Sequence, residues 1–188
     1  MNLYERELEN YQKLNKFAAG NGVVLFGSSF FKDIPVCELK QSFHMDMDMY
    51  NRSFVDLSVF DAANLLEDCV ISLSPRKVLL NLGETDLERG YHSIPEMITA
   101  YENIIKYLKS ADKDCEVLIV SVCNTSPELH PEELNKQLEL LAEKTNCKFA
   151  DISPAFSHDT PGIKAFSLLK LFMRDRLSFS DAMNLVVV

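Results

Sequence analysis

The stretch Val23-Val24-Leu25-Phe26-Gly27-Ser28-Ser29 decides the fold of this chain. Its consecutive apolar residues predict a buried strand, and the glycine and serines that follow predict a turn at the carboxyl end of that strand. Open α/β folds bind their ligands at the carboxyl ends of the strands. Ser29 is therefore a candidate nucleophile. Because a serine hydroxyl is a weak nucleophile alone, other segments must supply a base and oxyanion donors.

Strand and helix patterns alternate along the rest of the chain. Further strands are predicted near 44–50, 78–82, 117–122 and 148–152, and helices near 3–19, 54–72, 94–110 and 132–144. This alternation predicts an α/β fold, a three-layer α/β/α sandwich around a five-stranded, mainly parallel sheet with right-handed crossovers. No repeat or linker interrupts the pattern, so we expect a single domain over residues 1–188, with a loop at 153–162.

Composition limits the partners of the chain. A net charge of −9 disfavours nucleic acid and anionic membranes as partners, since both require positive charge on the protein. No apolar run approaches the roughly 18 residues of a membrane helix. The first residues carry charges and lack the apolar core of a secretion signal, and the 5 cysteines are odd in number. We therefore expect reduced thiols and a cytoplasmic protein that binds neither nucleic acid nor membrane.

Cofactor and metal patterns are not found in the sequence. No Gly-x-Gly-x-x-Gly or Walker-type loop follows a strand, which disfavours a nucleotide-binding protein. The cysteines lack C-x-x-C spacing, and Asp46 and Asp48 would need further ligands to hold a metal. We expect neither a cofactor nor a metal.

Four short segments carry the residues suited to chemistry. They are Gly27-Ser28-Ser29, the segment that Asn51-Arg52 opens, Gly83-Glu84-Thr85-Asp86, and the segment from Asp175 to Ser178. Their order resembles the SGNH, or GDSL-type, hydrolase family over about residues 23–184. Members carry a Gly-Asp-Ser or Gly-Ser-Ser block, an Asn-Arg-Gly-x-x-Gly block, a Gly-x-Asn-Asp block and an Asp-x-x-His block. The resemblance implies a flavodoxin-like sandwich and hydrolysis of esters or acyl groups, including O-acetyl groups of carbohydrates.

The resemblance also assigns roles within the first three segments. Ser29 would be the nucleophile, with its own backbone N–H in the oxyanion hole. Asp56 falls where the family has its oxyanion glycine, or Val55 does if the register slips by one residue. Thr85 replaces the asparagine donor and is followed by Asp86. A carboxylate at position 56 opposes the developing negative charge, and losing one oxyanion donor costs about 2.7–4 kcal/mol.

The last segment departs most from the family pattern. Asp175 would be the orienting carboxylate, but Ser178 stands in the position of the family histidine, which accepts the serine proton. A loss of that base costs several powers of ten in rate. Of the histidines that could substitute, His158 in the loop at 153–162 is favoured over the other three, His44, His92 and His130.

Two functions follow from these departures. The first is a serine esterase or acylhydrolase working through Ser29 on a small acyl ester, with weak or lost activity. The second is a pseudoenzyme, a non-catalytic binding or interaction protein that keeps the cleft as a binding site for a carbohydrate or acyl ligand, or as a contact surface. The family continues into a longer terminal helix beyond the apolar end Leu185-Val186-Val187-Val188, so we also expect a homodimer to cover that end.

Overall fold

The strands form one parallel sheet in the computed structural model, which describes residues 4–123, 129–157 and 159–174. The strands in chain order are β1 (Val23–Gly27), β2 (Met49–Asn51), β3 (Lys77–Asn81), β4 (Glu116–Val120) and β5 (Lys148–Ala150). They lie in the order β2-β1-β3-β4-β5, and every neighbouring pair is parallel. The predicted five-stranded α/β fold is confirmed.

Helices cover both faces of this sheet. They are α1 (Glu5–Asn15), α2 (Ser29–Lys32), α3 (Val36–Ser42), α4 (Val59–Ala62), α5 (Leu66–Cys69), α6 (Glu84–Arg89), α7 (Ile94–Ala111), α8 (Glu132–Lys144) and α9 (Pro161–Met173). Within the described ranges, none of these helices is long and apolar enough to cross a membrane.

Alternating side chains of each strand fill two separate cores. Val24 and Phe26 of β1 point to the core that α1, α4, α5, α7 and α8 cover. Val23 and Leu25 point to the opposite core, under α3 and α9. Because side chains alternate along a strand, a strand between two helical layers must be apolar at every position. The continuous run of β1 thus gives the three-layer sandwich.

The second strand is shorter than predicted. The sequence predicts a strand near 44–50 from alternating methionines, but only Met49–Asn51 pairs with β1. His44 adopts a φ of +50°, and the amide of Met45 bonds back to the carbonyl of Lys40 at 3.0 Å. The alternating residues therefore belong largely to a turn that closes α3.

The continuous helix expected over 54–72 is also wrong. Short α-helical and 3₁₀ segments follow one another there, with 3₁₀ turns at Ala63–Leu65 and Ile71–Leu73. Their apolar side chains still reach the core at helical intervals, which explains why the periodicity indicates one helix. The predicted loop at 153–162 instead contains a 3₁₀ turn, Ser153–Ser157, and the start of α9.

The carboxyl end of α9 lies at the amino edge of the sheet. Lys77, the first residue of β3, donates from Nζ to the carbonyl of Phe172 at 2.7 Å, and Arg76 donates to that of Met173 at 3.2 Å. Cations at a helix carboxyl terminus satisfy its last carbonyls and oppose its partial negative charge. These bonds fix α9 to the centre of the sheet.

Candidate active site at the carboxyl edge of the sheet

Ser28 and Ser29 lie where β1 meets α2. A Cβ at Gly27 would stand 2.4 Å from the carbonyl oxygen of Asn81, so the close approach of β1 and β3 requires glycine there. Ser28 follows as the N-cap residue of α2 and is fully buried, whereas Ser29, the first residue of that helix, is half-buried. The strand end therefore presents Ser29, and not Ser28, to the site.

Asp56 contacts the Ser29 hydroxyl. Its backbone N–H donates to Ser29 Oγ at 3.0 Å, and Ser29 Oγ donates to Asp56 Oδ1 at 3.3 Å. Asp56 is exposed and has a φ of +54°, in the left-handed region that favours glycine. The residue thus keeps a glycine conformation and aims its amide at the candidate nucleophile, but it adds a carboxylate there. Val55, the alternative for this position, is exposed.

Thr85 bonds to Ser28. The two hydroxyl oxygens lie 2.8 Å apart, and both side chains are buried. Gly83 precedes α6 with a φ of +114°, and a Cβ on it would stand 2.8 Å from Leu134, so this turn requires glycine. The turn places Thr85 beneath the nucleophile turn, next to Ser28.

Asp86 joins α6 to the start of α4. Ser58 Oγ donates to Asp86 Oδ1 at 2.6 Å, and the amide of Val59 donates to Asp86 Oδ2 at 2.9 Å. The Asp86 side chain is buried, and both of its oxygens accept. Among the predicted site residues, Asp86 therefore holds together the loops that carry Asp56 and Thr85.

Asn51 and Arg52 fix the base of the loop that leads to Asp56. The Asn51 amide donates to the carbonyl of Phe31 at 2.6 Å and accepts from the amide of Ser53 at 3.1 Å. The Arg52 guanidinium lies 5.0 Å from the Tyr11 ring centroid and 5.4 Å from that of Tyr50. Burial lowers the pKa of Arg52, but cation–π contacts with both rings favour its charged form.

A small hollow opens beside Asp56. It encloses about 160 Å³ and is lined by Tyr4, Glu7, Lys32, Phe54, Val55 and Asp56. Lys32 lies three residues after Ser29, on the same face of α2, and forms an ion pair with Glu7 of α1. The hollow offers a ligand one aromatic wall and groups of both charges.

The described histidines have no hydrogen bond to Ser29. His44, His92 and His130 are all exposed, and the ring of His92 lies 3.9 Å from that of Phe60. Within residues 4–123, 129–157 and 159–174, the recorded partners of Ser29 Oγ are both on Asp56. No group of histidine, cysteine or acidic residues in these ranges is arranged to hold a metal ion.

The loop before His158 packs beside the nucleophile. Phe30, the neighbour of Ser29, lies 4.9 Å from Phe156, measured between ring centroids. His158 itself is outside the described residues. The sequence does not indicate this ring contact, because the two residues are far apart in the chain.

Asp175 and Ser178 also lie outside the described residues, so their assigned roles stay predictions. The last residue described, Arg174, donates to the carbonyl of Phe43 at 3.0 Å, near the carboxyl end of α9. That helix ends at the amino edge of the sheet, whereas Ser29 follows the carboxyl end of β1.

The solved structures that resemble this chain share one fold with it. No protein-family model and no curated protein matches the chain. A protein from Streptococcus pneumonia proposed to be a platelet activating factor matches with a TM-score of 0.78 and 16% identity, over 92% of this chain and 93% of that one. A GDSL-like lipase from Bacteroides thetaiotaomicron matches at 0.72 and 15%, over 88% and 96% of the two chains.

An acetylxylan esterase from Geobacillus stearothermophilus, solved as a catalytic mutant, matches with a TM-score of 0.65 and 16% identity. That match covers 84% of this chain and 99% of the other. At such identities the likeness is one of fold. The chain has the SGNH-hydrolase fold that its sequence blocks predict.

Proposed function

We propose that this chain is an SGNH-type protein that binds a small acyl ester or acylated carbohydrate at Ser29 and hydrolyses it weakly or not at all. The fold it shares with a lipase and an esterase supports the ligand class. The observation that carries the proposal is the contact between the Asp56 carboxylate and the Ser29 hydroxyl.

That contact opposes acyl transfer. Attack by Ser29 Oγ places negative charge on the carbonyl oxygen of the ligand, next to the oxyanion donors. The Asp56 amide can donate to that oxygen, but the Asp56 carboxylate brings a second negative charge to the same place. Two unit charges about 4 Å apart repel by about 4 kcal/mol at an effective dielectric constant of about 20. Solvent screening at the exposed Asp56 reduces this repulsion.

A general base is the second requirement. The serine proton must pass to a base as the bond to the acyl carbon forms. With Ser178 in the position of the family histidine, we propose that this step is slow. His158 is the alternative base, and the packing of Phe156 on Phe30 supports it.

The test is hydrolysis of p-nitrophenyl acetate by the purified protein and by Ser29→Ala, His158→Ala and Ser178→Ala. We expect turnover close to the uncatalysed rate, scarcely changed by Ser29→Ala. If the wild-type protein hydrolysed the ester rapidly and Ser29→Ala abolished this activity, the proposal that hydrolysis is weak or lost would be refuted. If His158→Ala also abolished it while Ser178→Ala did not, His158 would be the base.

The second candidate function is ligand binding without chemistry. It is favoured by the burial of Thr85, whose hydroxyl lies 2.8 Å from that of Ser28, beneath the turn that carries Ser29. Calorimetric titration with acetylated and deacetylated xylo-oligosaccharides tests it. We expect the acetylated ligand to bind more tightly and Asp56→Ala to alter its affinity. Equal affinities for the two ligands would contradict an acyl-binding site.

A further inference from the structure

Two tyrosines of the amino-terminal segment hold the loop that carries Asp56. The Tyr4 hydroxyl donates to the carbonyl of Asp56 at 2.9 Å, and the Tyr11 hydroxyl donates to that of Ser53 at 2.6 Å. Tyr4 is the N-cap residue of α1 and Tyr11 lies within the helix, on the same face, because a spacing of seven residues is close to two helical turns. The two bonds therefore fix both ends of the loop 53–56.

The rings of the same tyrosines pack against Phe54 in the middle of the loop. Phe54 is 1% exposed, and its ring contacts Tyr4 and Tyr11 edge to face, with centroids 5.5 and 5.2 Å apart. The Phe54 amide also donates to the carbonyl of Gly27 at 3.0 Å, at the end of β1. The loop is thus held between α1 and the strand that leads to Ser29.

Tyr11 also contacts the helix that starts with Ser29. Lys32 of α2 donates from Nζ to the Tyr11 hydroxyl at 2.9 Å and pairs with Glu7. Burial and the nearby Glu7 carboxylate raise the pKa of Tyr11, so its hydroxyl remains protonated at neutral pH. Tyr11 therefore bonds both the loop 53–56, through Ser53, and the helix that begins with Ser29, through Lys32.

We infer that Tyr4 and Tyr11 are positioning residues, which set the Asp56 amide against Ser29 Oγ through their hydroxyl groups. The assignment rests on the proposed function in treating that contact as the ligand site. It extends the proposed function by giving the amino-terminal segment a part in positioning Asp56. Simple packing of α1 would need the rings alone, so removing the hydroxyls separates the two roles.

The experiment compares Tyr4→Phe and Tyr11→Phe with Tyr50→Phe as the matched control. The Tyr50 hydroxyl also bonds backbone, at Ala19 and not in the loop 53–56, and Tyr50→Phe keeps the ring that lies beside Arg52. Amide hydrogen exchange, followed by NMR, reports the Asp56 amide directly. We expect the Asp56 amide to exchange about fivefold faster in Tyr4→Phe and Tyr11→Phe than in the wild type. The amides of β3 in these variants, and the Asp56 amide in Tyr50→Phe, should keep the wild-type rate.

A second readout follows Ser29 itself. Phenylmethylsulfonyl fluoride sulfonylates an activated serine with loss of fluoride, and intact-mass spectrometry gives the rate, with Ser29→Ala as the blank. We expect the rate to change severalfold in Tyr4→Phe and Tyr11→Phe and not in Tyr50→Phe.

The exchange data decide the positioning role. Unchanged Asp56 exchange in Tyr4→Phe and Tyr11→Phe would overturn it, and a Ser29 labelling rate that both variants leave unchanged would count against an effect on the serine. If Tyr11→Phe fails to fold, Tyr4→Phe alone gives the decision. A wild-type protein whose Ser29 is not labelled and which binds no acyl ligand would count against the proposed function, while the exchange result still decides the role of the tyrosines.

Discussion

Asp56 holds the hydroxyl of Ser29 from two directions, with its amide as donor at 3.0 Å and its carboxylate as acceptor at 3.3 Å. A glycine could supply only the first of these bonds. Under the proposed function, the amide would favour an oxyanion and the carboxylate would oppose it, so one residue would both support and hinder acyl transfer. Separating the two contributions is the most direct way to learn what the site does.

Replacing Asp56 should raise the reactivity of Ser29. Asp56→Gly keeps the amide, suits the positive φ and removes the carboxylate, while Asp56→Asn removes only the charge. Because the carboxylate is exposed and screened, we expect about a tenfold gain for glycine and less for asparagine. The measurement is the second-order rate of Ser29 sulfonylation. Equal rates in the three proteins would contradict this prediction.

Removing the Thr85 hydroxyl should destabilise the protein. Thr85→Val leaves the buried Ser28 hydroxyl without this partner, which costs about 1–3 kcal/mol, whereas Thr85→Ser keeps the bond. Urea denaturation gives the free energy of unfolding. The double variant Ser28→Ala/Thr85→Val removes both hydroxyls and should recover part of the loss. Additive losses in the double variant would show that the pair is not coupled.

Native thiol reactivity should separate the cysteines by burial. Cys37 is exposed, whereas burial raises the pKa of Cys69 to about 12, of Cys115 to about 11 and of Cys123 to about 12. Since the thiolate is the reactive form, we expect Ellman's reagent to modify Cys37 first and these buried thiols only after unfolding. Peptide mapping after brief labelling identifies the site. Rapid labelling of Cys123 in the native protein would contradict the burial.

Acid should weaken the contact between α7 and α8 through Glu102. Hydrogen bonds from Lys144 at 2.8 Å and Lys106 at 2.9 Å lower the pKa of Glu102 from about 4.5 to about 2. Its contribution is therefore complete above the unfolded-state pKa and is lost as the pH falls from about 5 towards 2.

We expect Glu102→Gln to flatten the dependence of the unfolding free energy on pH in that window. The matched control is Glu143→Gln, which makes the same change of charge at an exposed position of α8. An identical pH dependence in wild type and Glu102→Gln would refute the role of this carboxylate.

The sequence predicts best the elements whose signal is local. The continuous apolar run of β1 and the helix Glu132–Lys144 lie where the pattern places them, because burial on both sides of a sheet or on one face of a helix leaves a direct periodicity. Pro161 indicates a loop in the sequence but begins a helix in the structure. Proline suits the first turn of a helix, so a residue that indicates a loop begins α9.

The site is predicted less completely, since its contacts join distant parts of the chain. The family blocks name Ser29, Asp56 and Thr85, and the structure brings Asp56 to Ser29 but joins Thr85 to Ser28. The bond from Tyr4 to Asp56 spans 52 positions and has no local pattern. A spacing of seven between Tyr4 and Tyr11 is the one signal that could have indicated their common face.

The bonds from Arg76 and Lys77 to α9 also bear on the rate of folding. They join residues 97 and 95 positions apart, so they raise the contact order of the chain. A nascent chain released only as far as Gly162 would have β1, β3 and β4 available while Leu25, Leu79 and Leu118 still lacked the cover of α9. We expect this apolar face to stay exposed in such a chain until α9 docks on Arg76 and Lys77.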